Sequence, residues 1–255
     1  SADTKPIKFR EISNDIIDFI YKNKENNFFI WAHFMDTHQP PLSPPPPYDK
    51  IFINNEYSQP EINIPISNKG APANGFGGLP RDLVKNNNNI TNLNYYIGLY
   101  DGAISYVDNQ IGLLLAAIKR LRLDKKTLII ISADHGEGLG EHNVYFFHGP
   151  QSQPHMPVSP RPESPLELKD KIGFHGLYDE DLKIPLIISY PELIPKNKRI
   201  AVQIESIDIA PTILDILHIQ KPKQMTGQSL LPLIKGKSLK KTTWRFAFSN
   251  IRDNY

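Results

Sequence analysis

Cysteine is absent from the 255 residues, which excludes disulfides, zinc–thiolate sites and a cysteine nucleophile within them. No apolar run approaches the roughly 18 residues of a transmembrane helix, so no membrane span is expected. A charge excess of either sign is missing as well, because 29 Lys and Arg against 27 Asp and Glu leave a net charge of +2. Without a bulk field there is no pull toward nucleic acid or an anionic membrane, and no nucleic-acid partner is expected. The opening Ser-Ala-Asp-Thr-Lys has no apolar stretch behind a basic one and does not read as a signal peptide. What is present, 40% hydrophobic, 10% aromatic and 22% charged residues, suits a globular protein rather than a disordered or collagen-like one. At roughly 150 residues per domain, the length allows one large domain or two small ones.

Proline is plentiful (23 residues) and clustered, which separates packed segments from loops. Residues 11–22 place Ile12, Ile16, Ile17, Phe19 and Ile20 at mostly helical spacing, with Ser13 or Asn14 as N-cap candidates. The run Phe28-Phe-Ile-Trp-Ala32 is rich in β-formers and predicts a buried strand. Pro44 to Pro47 predict an extended, surface-lying stretch. Residues 40–95 as a whole read as a long excursion, irregular and without period from 50 onward. Ile97, Tyr100, Ile104, Val107, Ile111, Leu114, Leu115, Ile118 and Leu121 then mark the clearest helix. Thr127-Leu-Ile-Ile-Ile-Ser132 follows as a second buried strand, and a strong helix feeding an all-apolar strand predicts an α/β fold with a mostly parallel, helix-covered sheet. Residues 149–171 hold six prolines and three serines and read as an inserted loop. Another strand is expected at 184–189, edge-like or beginning at its proline, and a helix at 205–218 with Pro211 in its first turn.

The densest polar constellation is Ser132-Ala-Asp-His-Gly-Glu-Gly-Leu-Gly-Glu-His142. Ligands bind at the carboxyl ends of strands in parallel sheets. Asp134 and His135 at such an end, with glycines permitting close backbone approach, make a candidate metal site. The plainer alternative is that Asp134 caps the following segment and His135 is a hydrogen-bonded surface residue. A second constellation, His33-Phe-Met-Asp-Thr-His38, also follows an apolar run. Histidine is suited to protonating a leaving group at neutral pH, although lone histidines are often merely structural. Lys196, Lys198, Arg199 and the lysines at 235–241 offer contacts to an anion, but such clusters usually form a solvated face.

Four segments carry a family resemblance: Phe28-Phe-Ile-Trp-Ala-His-Phe-Met-Asp-Thr-His-Gln-Pro40, Tyr100-Asp-Gly-Ala-Ile-Ser-Tyr-Val-Asp-Asn-Gln-Ile-Gly112, the 132–142 constellation, and His175-Gly-Leu-Tyr-Asp-Glu-Asp-Leu-Lys-Ile-Pro-Leu-Ile-Ile188. In this order they resemble the sulfatase family of the alkaline phosphatase superfamily. The resemblance implies a sulfuric ester hydrolase in which Asp134 and His135 are metal ligands, with Asp-Asn in many relatives. The ion implied is Ca²⁺, with Mg²⁺ or Mn²⁺ used by some members. His38 then matches a residue that contacts sulfate or protonates the departing alcohol, and His175 one that binds sulfate oxygens. Phe-His-Gly occurs twice, so His148 competes with His175 for that role. The substrate implied is a sulfate ester, small molecule or glycan, and relatives are secreted, periplasmic or lysosomal.

One family feature has no match here. Sulfatases carry an early strand with paired aspartates and a Cys/Ser-x-Pro-x-Arg motif whose first residue becomes the formylglycine nucleophile. No serine in this chain has Pro at +2 and Arg at +4. The expectation is therefore the central and C-terminal part of such an enzyme, one partial α/β domain with 236–255 starting a truncated C-terminal region, inactive by itself. Two alternatives stand beside it: a phosphoryl-ester or phosphonate hydrolase or phosphoglycerol transferase of the same superfamily, and a non-catalytic piece that binds sulfated glycans or a partner.

Overall fold

The apolar series after residue 92 forms the longest helix among the described residues, and the first of two units is organised around it. The computed structural model describes residues 11–38, 42–53, 63–64, 66–67, 79–139 and 179–238. These fall into two units, Ser1–Asp124 with His135–Lys183, and Lys125–Asp134 with Ile184–Tyr255.

In the first unit, α1 (Glu11–Asn23) packs on α3 (Leu93–Arg120). Ile20 and Ser13 of α1 are buried, so Ser13 lies within the helix and does not cap it. Asn23 closes the helix by donating its side-chain amide to the Phe19 carbonyl (2.9 Å). Asn92 caps α3, its Oδ1 accepting from the Asn94 amide at 2.9 Å, which satisfies a donor that the helix itself leaves unpaired. At the other end Lys119 and Arg120 sit where the helix dipole favours cations. Leu93, Tyr96, Ile97, Leu99 and Ala103 give α3 a continuous buried stripe.

That stripe meets Leu42, Ile64, Leu79 and Val84. The excursion expected over the surface at 40–95 thus supplies half of this core. Its apolar residues are buried one at a time, so no period announces them. Within it, β1 (Ile66–Ser67) pairs in parallel with β2 (Leu79–Pro80), α2 spans Arg81–Asn86, and Ile64 donates its amide to Thr91 O. The proline run also differs from expectation. Leu42 and Pro44 are buried and residues 46–50 form turns, because the segment lies directly on α3. A Cβ at Gly98 would come within 2.7 Å of Ile53 Cα, and one at Gly102 would strike the Tyr48 carbonyl oxygen. The ring of Tyr48 meets Tyr106 edge-on at 5.4 Å.

In the second unit, β3 (Ile129–Ser132) and β4 (Leu186–Ser189) pair antiparallel, Ile129 opposite Ser189 and Ser132 opposite Leu186. The parallel arrangement expected of β3 is not met by this pair. An all-apolar strand reports two-sided burial potential but not strand direction, which the partner decides. Neither strand is buried among the described residues, and Ile187 is exposed. Pro185 immediately precedes β4, where a missing N–H disturbs no ladder bond. Further on, α4 (Asp179–Leu182) belongs to the first unit, whereas a 3₁₀ turn (Ser206–Asp208), α5 (Ile209–Ile216) and α6 (Leu231–Ile234) belong to the second. Pro211 sits in the first turn of α5. Buried Asp208 accepts from the amides of Glu205 (3.2 Å) and Gln228 (2.9 Å), and Thr212 Oγ1 donates to Asp208 O and accepts from Leu230 N. Together these bonds strap residues 228–230 onto α5. Residues 28–32 do not form the expected strand: they have no regular secondary structure and no ladder partner among the described residues. No helix among the described residues is long and apolar enough to cross a membrane.

Candidate functional site

The residues singled out by sequence divide between the two units. His38 lies in the first, in a turn closed by its amide donating to Met35 O at 3.0 Å. Asp36, in the same turn, is buried, and desolvation pushes its carboxyl above the usual range, partly offset by a bond from its own backbone amide. His33 is exposed and His38 half-buried. Further along, Leu42 lies in the core and the backbone at Tyr48 and Ile53 lies against α3.

Asp134 stands two residues beyond the last residue of β3, in the second unit, with its side chain exposed. Ser132 fixes the strand end by donating its hydroxyl to the Pro185 carbonyl (2.9 Å). His135 belongs to the first unit, and its Nδ1 lies 2.6 Å from the Gly136 carbonyl. A carbonyl only accepts, so Nδ1 is the donor in this contact. The following residues return to α3. Leu139 packs against its core cluster, and Glu137 lies close enough to Tyr100 to act on it electrostatically. Burial, then Glu137, then Asp101 push the Tyr100 hydroxyl up to about 12. Helix α3 thus meets residues 48–53 on its glycine face, while Glu137 and Leu139 lie near its Tyr100 and core cluster.

Asp134 and His135 are, by residue type, a carboxylate and an imidazole that a divalent cation accepts as ligands. Among the described residues no three His, Cys, Asp or Glu side chains cluster into a metal site. His148 and His175 lie outside the described residues, as does the 149–171 loop. Lys198, one of the cations expected to form a solvated face or contact an anion, donates its Nζ to Ile234 O at 2.6 Å and caps the end of α6. Sequence reasoning did not place Tyr100, Glu137 and Leu139 together. Their only early signal was that two of the resembling motifs contain them.

Comparison with known proteins bears directly on this arrangement. The chain is 28% identical over 238 residues to an arylsulfatase of Clostridium perfringens, covering 92% of this chain and 42% of that protein. It is 25% identical over 234 residues to a sulfatase of Formosa agariphila, covering 90% of this chain and 40% of the relative. The chain thus spans less than half the length of these relatives. The structure of phosphonate monoester hydrolase of Agrobacterium radiobacter superposes with a TM-score of 0.61 at 20% identity, over 96% of this chain and 46% of that one, which shows a shared fold. The Sulfatase family profile matches residues 7–219, a span that takes in the His38 turn, Asp134, His135 and α3, and the chain belongs to the sulfatase family.

Proposed function

We propose that this chain supplies the metal-proximal and sulfate-contacting part of a metal-dependent sulfuric ester hydrolase. The single observation carrying this reading is the family match over 7–219, which includes every residue given a role below. Asp134 and His135 would hold a divalent cation, Ca²⁺ in the first place and Mg²⁺ or Mn²⁺ otherwise. Such an ion, when bound, offsets the sulfate's charge as the ester bond breaks. The Asp134 carboxylate would provide a hard oxygen and the His135 ring a nitrogen, the ring held by the contact of its Nδ1 with the Gly136 carbonyl. His38 donates a proton to the departing alcohol, and His175, with His148 as the competing candidate, binds the sulfate oxygens. The sheet in this reading is of the mostly parallel, helix-covered alkaline phosphatase type, completed beyond the strands described. The substrate is a sulfate ester, of a small molecule or a glycan, and the compartment secreted, periplasmic or lysosomal. The formylglycine nucleophile of the family would come from outside these 255 residues, which lack its motif.

The test compares an aryl sulfate with an aryl phosphonate monoester as substrates of the intact protein carrying these residues. The expected result is preferential sulfate hydrolysis, with Asp134→Ala lowering both the rate and calorimetric Ca²⁺ affinity by about 100-fold. Preference for the phosphonate ester moves the protein to the phosphoryl side of the superfamily. Binding of a sulfated glycan with no hydrolysis of either ester makes it a binding protein.

A further inference from the structure

Residues 135–138 belong to no helix or strand, yet none of them is exposed: Gly138 is buried, and His135, Gly136 and Glu137 are half-buried. What covers this stretch is found in its own unit, at α3. Leu139 and Tyr100 pack against the same core cluster, which α3 builds with Leu42 and Val84 among others. Between His135 and Leu139, Glu137 lies close enough to Tyr100 to act on its hydroxyl. That hydroxyl, pushed up to about 12 mainly by burial, keeps its proton at neutral pH and offers a donor to a carboxylate. One apolar and one polar interaction thus fall on alternate residues of a single short segment. Gly136 stands directly before them, and its carbonyl is the group that His135 Nδ1 meets at 2.6 Å. A carbonyl orients a ring only if its own backbone is fixed. In a segment outside helix and strand, the docking of neighbouring side chains is what fixes it.

We infer that Tyr100, Glu137 and Leu139 are positioning residues, which dock residues 136–139 on α3 and thereby hold the Gly136 carbonyl that orients the His135 ring. The inference rests on the sulfatase reading for its consequence, a ligand ring set in place before a cation arrives. The 255-residue chain tests the docking without metal. Amide hydrogen exchange follows residues 136–139. Nitrogen-15 spectra at pH about 8.5, where imidazole is neutral, report which ring nitrogen of His135 carries the proton. In the parent, slowed amides and a ring protonated on Nδ1 are expected. Tyr100→Phe and Leu139→Ala are each expected to speed these amides about tenfold and to lower the ratio of Nδ1- to Nε2-protonated ring at least about threefold. Glu137→Gln, which keeps an acceptor oxygen, is expected to retain most of both readouts, whereas Glu137→Ala loses them. Ile20, buried on α1 outside this cluster, supplies the control. Ile20→Ala is expected to lower Tm while leaving both readouts at their parent values. Three results overturn the inference: parent amides at 136–139 as fast as those of an unstructured peptide; Tyr100→Phe and Leu139→Ala matching the parent in either readout; or Ile20→Ala shifting the ring as much as Leu139→Ala. Ca²⁺ affinity and ester hydrolysis of the intact protein are read separately through Asp134→Ala. If those fail while the metal-free readouts hold, the docking stands and the sulfatase reading goes. If the metal-free readouts fail while Asp134→Ala behaves as expected, the reverse follows.

Discussion

Asp36 shows how a single residue in the candidate region works against stability. Its carboxyl is raised above 3.8 chiefly because burial disfavours the charged form. The folded state therefore holds this proton more tightly than the unfolded chain, so stability falls as pH rises from 3.8 through the folded-state value. Asp36→Asn removes that dependence. In denaturant titrations from pH 3 to 7 the variant is expected to gain on the parent as pH rises, and an equal pH slope for the two proteins refutes the assignment. Asp134, His135 and His38 were legible as candidates from residue type and, at 134–140, from the glycines beside them. The burial of Asp36 and the approach of Glu137 to Tyr100 were not, because each depends on which distant segment covers the side chain.

At the scale of elements, α3 does most to hold the first unit together. Two glycines one turn apart, Gly98 and Gly102, let the backbone of residues 48–53 lie against it. Gly102→Ala would force that strap outward and is expected to destabilise by about 1–3 kcal/mol, lowering Tm by several degrees. Gly112, where an added Cβ would meet nothing within 4 Å, is the control on the same helix. Gly112→Ala is expected to stabilise by about 0.5–1 kcal/mol, since there alanine brings only its better helix propensity. Thermal melts of the two variants check the contrast, and equal effects would refute a packing role for Gly102. The helix itself was plain from its 3.6-residue period. Its partners Leu42, Ile64, Leu79 and Val84 were hidden, since isolated apolar residues among Pro, Gly and Asn carry no period.

For the molecule as a whole, the family match and the missing nucleophile motif lead to one expectation. The 255-residue chain alone should not hydrolyse an aryl sulfate above background, and Asp134→Ala should change nothing in that assay. Measurable turnover that is lost in Asp134→Ala would place a nucleophile within these residues. The antiparallel β3–β4 pair and the uncovered 28–32 segment belong to this scale as well. Both apolar runs were recognised as strand-like, but direction and burial are properties of a sheet and its neighbours rather than of a run.

The amino-acid order by itself determined the long helix, the strands near 127–132 and 184–189, and the family. Those depend on residue type and on spacing within a few turns. The tertiary structure alone decided that the Pro-rich segment is a clamp on Gly98 and Gly102, that β4 meets β3 head to tail, and that Lys198 serves a helix end. Such outcomes arise between residues far apart in sequence, where steric fit and hydrogen-bond satisfaction choose among many arrangements that local pattern leaves equal.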